Sequence, residues 1–430
     1  MLRFTTIEPR GPEKRPPEAR AQDFREVYAG YAAEKAAEQA SRCSQCGVPF
    51  CQVHCPLANN IPDWLKLTAE GRTQEAYELS QSTNNMPEIC GRICPQDRLC
   101  ERHCVIEQSG HGTVTIGAIE KFLTDTAWRE GWVRPLKARR ERPQRVAIVG
   151  AGPAGLACAE QLRLKGYRVT VYDRHDKAGG LLMYGIPNFK LEKDVVARRV
   201  KRLAEGGVKF KLACEIGRDL SFEALHRSHD AVFLAPGAYQ AREMEIDGIA
   251  ALDYLIGGAP NAKDKHVAVI GGGDTAMDCV RTAIRQGAAS VTCLYRRDRD
   301  NMPGSLREVV NAEEEGVAFE WLTLPKSAGM DGVRITRMRL GLPDASGRKA
   351  PEEITGADFT LKADIVIKAL GFDPEPHWKE HFKRDGVFAG GDVVRGASLV
   401  VWAIKDGRDA ARSIHSYLEK QVAEKCAEPA

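Results

Sequence analysis

One pattern, strand, glycine turn, helix, strand, occurs twice in this chain and constrains its fold more than any other feature. Arg145–Val149 is a short apolar run, residues 153–165 have helical periodicity, and Arg168–Tyr172 is a second β-prone run. The same order returns at His266–Ile270, residues 275–286 and residues 291–295. Strands alternating with helices at this spacing predict parallel sheets joined by right-handed crossovers. This is an internal repeat of a fold rather than a solenoid. The fold class expected is α/β, and 430 residues leave room for two or three domains of about 150 residues each.

Each turn carries its own chemistry. In Gly150-Ala-Gly152-Pro153-Ala154-Gly155, the first glycine permits the tight turn. The second lets the backbone approach a pyrophosphate, and the third lets helix and strand pack closely. The following helix presents free N–H groups and a positive dipole end to phosphates. Asp173, 23 positions after Gly150, closes the next strand with Arg174 beside it, where a carboxylate binds a ribose diol. A second glycine-rich loop, with Gly180, Leu181, Gly185 and Ile186, follows and suits contact with a long dinucleotide. Near the C-terminus, Gly391-Asp392 ends a strand and a helix is expected to start near Ser398-Leu399-Val400. The carboxylate would meet a ribityl hydroxyl, and the helix N-terminus the flavin edge that gathers charge on reduction. These segments predict FAD.

The second turn reads Gly271-Gly-Gly273-Asp274-Thr275-Ala276, the variant with alanine at the third position. Where the first repeat has Asp173, this one has Arg296 and Arg297. Guanidinium groups bind phosphate bidentately, so NADPH is expected rather than NADH. Both repeats therefore read as Rossmann-like, doubly wound nucleotide-binding domains.

Ahead of them lies a region of different character. Eight of the 13 cysteines fall between Cys43 and Cys104, among helical stretches at residues 61–70 and 74–81. Residues 1–20 lack an apolar h-region, so they do not read as a signal peptide. A cytoplasmic protein is expected, in which such cysteines bind metal rather than pair. No run of about 18 apolar residues occurs, so no membrane span is expected. A net charge of +3 gives no reason to expect nucleic acid. The sets Cys43-x2-Cys46-x4-Cys51-x3-Cys55-Pro and Cys90-x3-Cys94-Pro, followed by Cys100-x3-Cys104, resemble a two-cluster ferredoxin. Zinc in a non-catalytic assembly module is the alternative. His54 and His103 read as neighbours of ligands, and Cys158, Cys214, Cys279, Cys293 and Cys426 as structural.

The expected organisation is a helical iron–sulfur domain at 1–142 and an FAD domain split into 143–255 and 365–430 around an NADPH domain at 256–364. The basic stretch 134–143 reads as a solvated linker.

Over nearly its whole length the chain resembles the small (beta) subunits of bacterial NADPH-dependent glutamate synthases. The motifs that carry this are Cys43 to Cys55, Asn60-Ile-Pro-Asp-Trp64, Cys90 to Cys104, both glycine turns, Tyr295 to Pro303 and Gly390 to Asp409. They occur less closely in dihydropyrimidine dehydrogenase and ferredoxin–NADP transhydrogenases, so an acceptor such as ferredoxin or a pyrimidine-reducing partner is the rival reading. The resemblance implies two [4Fe-4S] clusters, one on Cys43, Cys46, Cys51 and Cys104. The other would use Cys55, Cys94 and Cys100, with Glu120 or Cys90 completing it and Glu120 preferred. It also implies a hetero-oligomer with a large (alpha) subunit, where FMN serves glutamate formation from glutamine and 2-oxoglutarate. Two departures stand out. Ala235-Pro236-Gly237 replaces an Ala-Thr-Gly, and the stretches 247–265 and 372–386 are short for the family. The latter predicts residues missing from the sequence, with breaks near Gly248 and near 377–384.

Overall fold

The computed structural model describes residues 1–257, 260–329, 331–343 and 349–427. Its N-terminal part is built from short helices: α1 (Ala33–Ala40), α2 (Ile61–Ala69), α3 (Thr73–Thr83), α4 (Pro87–Ile93) and α5 (Ile116–Arg129). Pro87 opens α4, where its missing amide costs nothing. Helix α5 buries Ile116, Ile119, Phe122 and Leu123, the spacing of one apolar stripe, in a cluster that includes the fully buried Trp64. Helices α4 and α5 approach closely at Gly91, where an added Cβ would lie 2.7 Å from the Lys121 nitrogen. The cysteines of this part sit on the connections between these helices and at their ends, except Cys90, which lies within α4.

The first α/β unit has β1 (Arg145–Val149), α6 (Pro153–Leu164), β2 (Arg168–Tyr172), α7 (Lys193–Glu205), β3 (Lys209–Lys211) and β4 (Ala231–Leu234). The second has β5 (Ile249–Ala250), α8 (Ala251–Ile256), β6 (His266–Ile270), α9 (Asp274–Arg285), β7 (Ser290–Tyr295), α10 (Leu306–Glu314) and β8 (Ala318–Trp321). An antiparallel ribbon follows, β9 (Thr323–Gly329), β10 (Gly332–Pro343) and β11 (Lys349–Leu361), and then β12 (Ile365–Lys368). The chain finally returns to the first unit through β13 (Val387–Ala389) and the long helix α11 (Val400–Ala427).

Both main sheets are parallel, in the orders β13-β4-β1-β2-β3 and β5-β12-β6-β7-β8. Their central strands β1 and β6 are buried on both faces, as crossover helices on each side require. One boundary differs from expectation. Strand β12 pairs with β6, so the second unit runs past residue 364, and β5 likewise belongs to it. A four-residue apolar strand reads the same in either sheet, and only long-range pairing assigns it.

One further expectation is corrected. The stretch 134–143 is not a free linker: Leu136 is buried, and the Arg142 amide donates to the Gly166 carbonyl at 2.9 Å. Of the two short stretches, the first holds β5 and α8 among its described residues. In the second, amides of Trp378, Phe382, Arg384 and Val387 each donate to a carbonyl three residues back.

Charged side chains tie the three parts together. Glu88 of α4 holds Arg199 of α7 through bonds of 2.6 and 2.7 Å, and Lys190 meets Asp278 of α9 at 2.9 Å. Arg20 reaches Glu315 of the second unit at 3.3 Å.

Candidate functional site

A cavity of about 240 Å³ opens where all three parts meet. The first glycine turn supplies Gly150, Gly152, Pro153 and Ala154, and Asp173 stands at the end of β2. Gly391, Asp392, Ser398, Leu399 and Val400 form a second wall, and Gly180, Leu181 and Ile186 a third. Opposite stand Asp274 and Thr275, the first residues of α9. Gly155, Gly185, Gly271, Gly273 and Ala276 shape the turns around this space without lining it.

The local geometry suits a dinucleotide. A side chain on Gly152 would meet nothing within 4 Å, so the turn is open there. Asp173 is held by the amides of Ala151 at 2.6 Å and His175 at 2.8 Å, which aims the carboxylate along the turn. Asp392 accepts the Ser398 hydroxyl at 2.7 Å, and burial pushes its carboxyl up from the ordinary value. Helix α11 begins at Val400, two residues later than expected, with its N-terminus at the cavity. Ala235, Pro236 and Gly237 of the substituted turn line the wall, and the Ala235 amide donates to the Val149 carbonyl at 2.8 Å.

Arg174 lines a smaller cavity that shares Gly150 and Asp173 with the first. Glu375 takes both terminal nitrogens, at 2.9 and 2.6 Å, and the guanidinium lies 5.1 Å from the centre of the Tyr239 ring. It thus clamps Tyr239, which itself lines the cavity. The two arginines after β7 are not equivalent. Arg296 is exposed, whereas Arg297 is buried and its Nε donates to the Lys349 carbonyl at 2.8 Å.

The cysteines divide into two groups in space. Cys43, Cys46, Cys51 and Cys104 line one small cavity. Cys55, Cys90, Cys94 and Cys100 line another with Glu120, and Ile116 borders both. Burial pushes the Cys51 and Cys55 thiols up to about 12, so these groups stay protonated unless a metal supplies positive charge. Among the described residues, no three His, Cys, Asp or Glu side chains converge as they would on one ion. Four thiols lining one space form a donor set that fits a cube of iron and sulfide. Glu120 Oε1 accepts the side-chain amides of Asn59 at 3.0 Å and Asn84 at 3.2 Å, and burial pushes its carboxyl up to about 8. His54 and His103 stack with ring centres 3.5 Å apart. Cys158, Cys279 and Cys293 are buried, Cys214 is half-buried, and the Cys426 side chain lies outside the described residues.

Sequence reasoning missed Lys190, Ser305, Arg307 and Glu308, which also line the main cavity. No local pattern marks them.

Known proteins agree with this geometry. Residues 20–132 match the family described as dihydropyrimidine dehydrogenase domain II, 4Fe-4S cluster, and residues 144–407 match pyridine nucleotide-disulphide oxidoreductase. The glutamate synthase [NADPH] small chain of Azospirillum brasilense is 58% identical over 468 residues, covering 98% of this chain and 97% of the relative. The chain belongs to the glutamate synthase small-chain family. The Escherichia coli (strain K12) member is 44% identical over 468 residues, covering 97% of this chain and 99% of its own. Both alignments are longer than the chain, so these relatives carry segments that it lacks, in keeping with its short stretches. Among solved structures, Mycobacterium tuberculosis FprA in complex with NADPH shares the fold with a TM-score of 0.58 at 19% identity, covering 67% of this chain and 87% of that one. In this family the chain is an NADPH-dependent oxidoreductase with FAD and 4Fe-4S centres.

Proposed function

We propose that this chain is the electron-input subunit of a cytoplasmic glutamate synthase. It oxidises NADPH and passes electrons to an FMN-containing large subunit, which makes L-glutamate from L-glutamine and 2-oxoglutarate. One observation carries the reading. Ile93 and Pro95, the neighbours of Cys94, line the same cavity as Gly152, Asp392 and Asp274.

Bound FAD supplies an acceptor that converts a hydride into single electrons, and [4Fe-4S] clusters supply one-electron carriers. The chain's residues do the rest. The turn 150–155 and the N-terminus of α6 receive the flavin pyrophosphate, and Asp173 its ribose. The positive end of α11 stabilises charge at the flavin edge. Leu181, Ile186 and Leu399 keep the meeting point of donor and acceptor apolar. Asp274 and Thr275 open the helix that receives the NADPH pyrophosphate.

Cys43, Cys46, Cys51 and Cys104 hold one cluster. Cys55, Cys94, Cys100 and Glu120 hold the other, with Glu120 oriented by Asn59 and Asn84. Cys90 hydrogen-bonds Cys94 and, with burial, pushes the Cys94 thiol well above its usual range. The large subunit covers the exposed Val48, Phe50 and Val53, which stand around the first cysteine set and give a hetero-oligomer its contact. No helix among the described residues is long and apolar enough to cross a membrane.

Anaerobic titration with NADPH tests this. The flavin absorbance should bleach, and EPR signals of two reduced clusters should follow. A colourless protein that carries zinc would overturn the reading. Donor choice is tested by Arg296→Ala, because Arg296 is the exposed member of the pair. Losing a charge-assisted contact of about 1.5–3 kcal/mol should raise KM for NADPH roughly 10- to 100-fold and leave NADH unaffected. Equal effects on both donors would remove the 2′-phosphate role.

A further inference from the structure

The loop between Cys94 and Cys100 touches the second α/β unit on its far side. Arg98 donates to the Pro303 carbonyl. The Ser305 hydroxyl lies 3.3 Å from both Asp97 carboxylate oxygens, and Arg307 Nη1 donates to Gln96 Oε1 at 3.0 Å. Gln96 is 2% exposed, lines the second cysteine cavity and donates to the Cys90 carbonyl at 3.0 Å. In the other direction, the Ser305 amide donates to Asp274 Oδ1 at 2.9 Å, and the Gly304 amide to the Gly272 carbonyl at 2.9 Å. Gly272 and Asp274 belong to the second glycine turn. Residues 303–307 are thus held by the loop that carries Cys94 and Cys100 at Pro303, Ser305 and Arg307, and by the nucleotide turn at Gly304 and Ser305.

We infer that Asp97 and Ser305 are positioning residues that couple nucleotide occupancy to the oxidation state of the second cysteine site, so that NADP+ is held less tightly once that site is reduced. The inference rests on the functional reading above. Reduction there adds one negative charge behind Gln96, while NADP+ places anionic phosphates at the start of α9. The two charges oppose each other across a contact that these hydrogen bonds span. Because Asp97 bears on Ser305, and Ser305 on Asp274, displacement of the loop loosens the cradle of the pyrophosphate. Coupling is reciprocal, so bound NADP+ must lower the reduction potential of the second site by the same factor. The oxidised nucleotide would then leave after the electron has moved on, and the reverse hydride transfer would be discouraged.

The test is an EPR-monitored redox titration of the full chain with its cofactors, with and without saturating NADP+. The second cluster is assigned by the signal that Cys100→Ser removes. A tenfold weaker hold on NADP+ in the reduced state appears as a midpoint about 59 mV lower for a one-electron couple. Ser305→Ala and, separately, Asp97→Asn should reduce that shift to less than a third while FAD and iron content stay at the unmutated level. No shift in the unmutated chain would overturn the inference. So would an undiminished shift in Ser305→Ala, which would leave only charge acting through space. If Asp97→Asn fails to assemble the cluster, Ser305→Ala decides alone, since it lies outside the cysteine loop. A complete absence of cluster signals would overturn the functional reading itself, and the inference with it.

Discussion

Replacing Glu88 by alanine is expected to destabilise the folded chain by about 3–5 kcal/mol, the cost of leaving one member of a buried ion pair without its partner. Glu88 is fully buried and Arg199 is 1% exposed. Two charge-assisted hydrogen bonds, at 2.6 and 2.7 Å, join them across the boundary between the cysteine-rich helices and the first α/β unit. No other carboxylate forms a salt bridge with Arg199 among the described residues, although its guanidinium lies 5.7 Å from the centre of the Trp128 ring. Without Glu88, water or a structural shift must reach a buried cation. The double change Glu88→Leu with Arg199→Leu removes both charges and should cost much less, since a buried pair roughly breaks even with apolar side chains of similar size. Denaturant unfolding followed by circular dichroism and flavin fluorescence separates the two variants. A loss below about 1 kcal/mol for Glu88→Ala would mean that the site is wetter than the structure indicates.

Gly271→Ala is expected to lower kcat/KM for NADPH about 100-fold while leaving FAD in place. Gly271 has φ of +141°, and a Cβ there would lie 2.2 Å from the Ala369 carbonyl oxygen. That oxygen follows β12, which is fixed by its pairing with β6, so neither backbone can yield without disturbing the sheet. The second glycine turn would move, taking the start of α9 with it. A displacement that costs ~2.7 kcal/mol of binding in the transition state lowers kcat/KM about 100-fold. The flavin site stands on another sheet and should keep its cofactor. Absorbance reports FAD content, and anaerobic bleaching by NADPH reports hydride transfer. Bleaching at the unmutated rate would show that the turn has more freedom than its contacts allow.

Local pattern made much of this architecture legible. Arg145–Val149, Arg168–Tyr172 and His266–Ile270 form as the strands expected from their sequence, because each is a compact apolar run between strong turn signals. The grouping of the thiols was legible only through resemblance. Spacing shows that Cys43 to Cys55 form a set, but Cys104 joins three of them across a long separation in sequence. What was not legible depends on distant partners. Arg297 reads like Arg296 until the antiparallel ribbon brings the Lys349 carbonyl to it. Lys190 is an ordinary basic residue until folding places it beside Asp278, whose carboxyl burial pushes up to about 6. Strand β12 could have joined either sheet. In each case, the property belongs to contacts between units that a local reading does not see.

The first turn of α11 has a consequence for timing. Val400 and Ala403 line the flavin cavity, and Val401, between them, lines the second cysteine cavity. At about 1.5 Å of rise per residue, a single helical turn spans the wall between the two sites. Their separation is set by covalent geometry rather than by how two domains happen to be arranged. Under the function proposed above, passage of an electron through that wall would need no hinge to close, so solvent viscosity, which slows domain motions, should leave this step untouched and be felt only when nucleotide or partner arrives and departs.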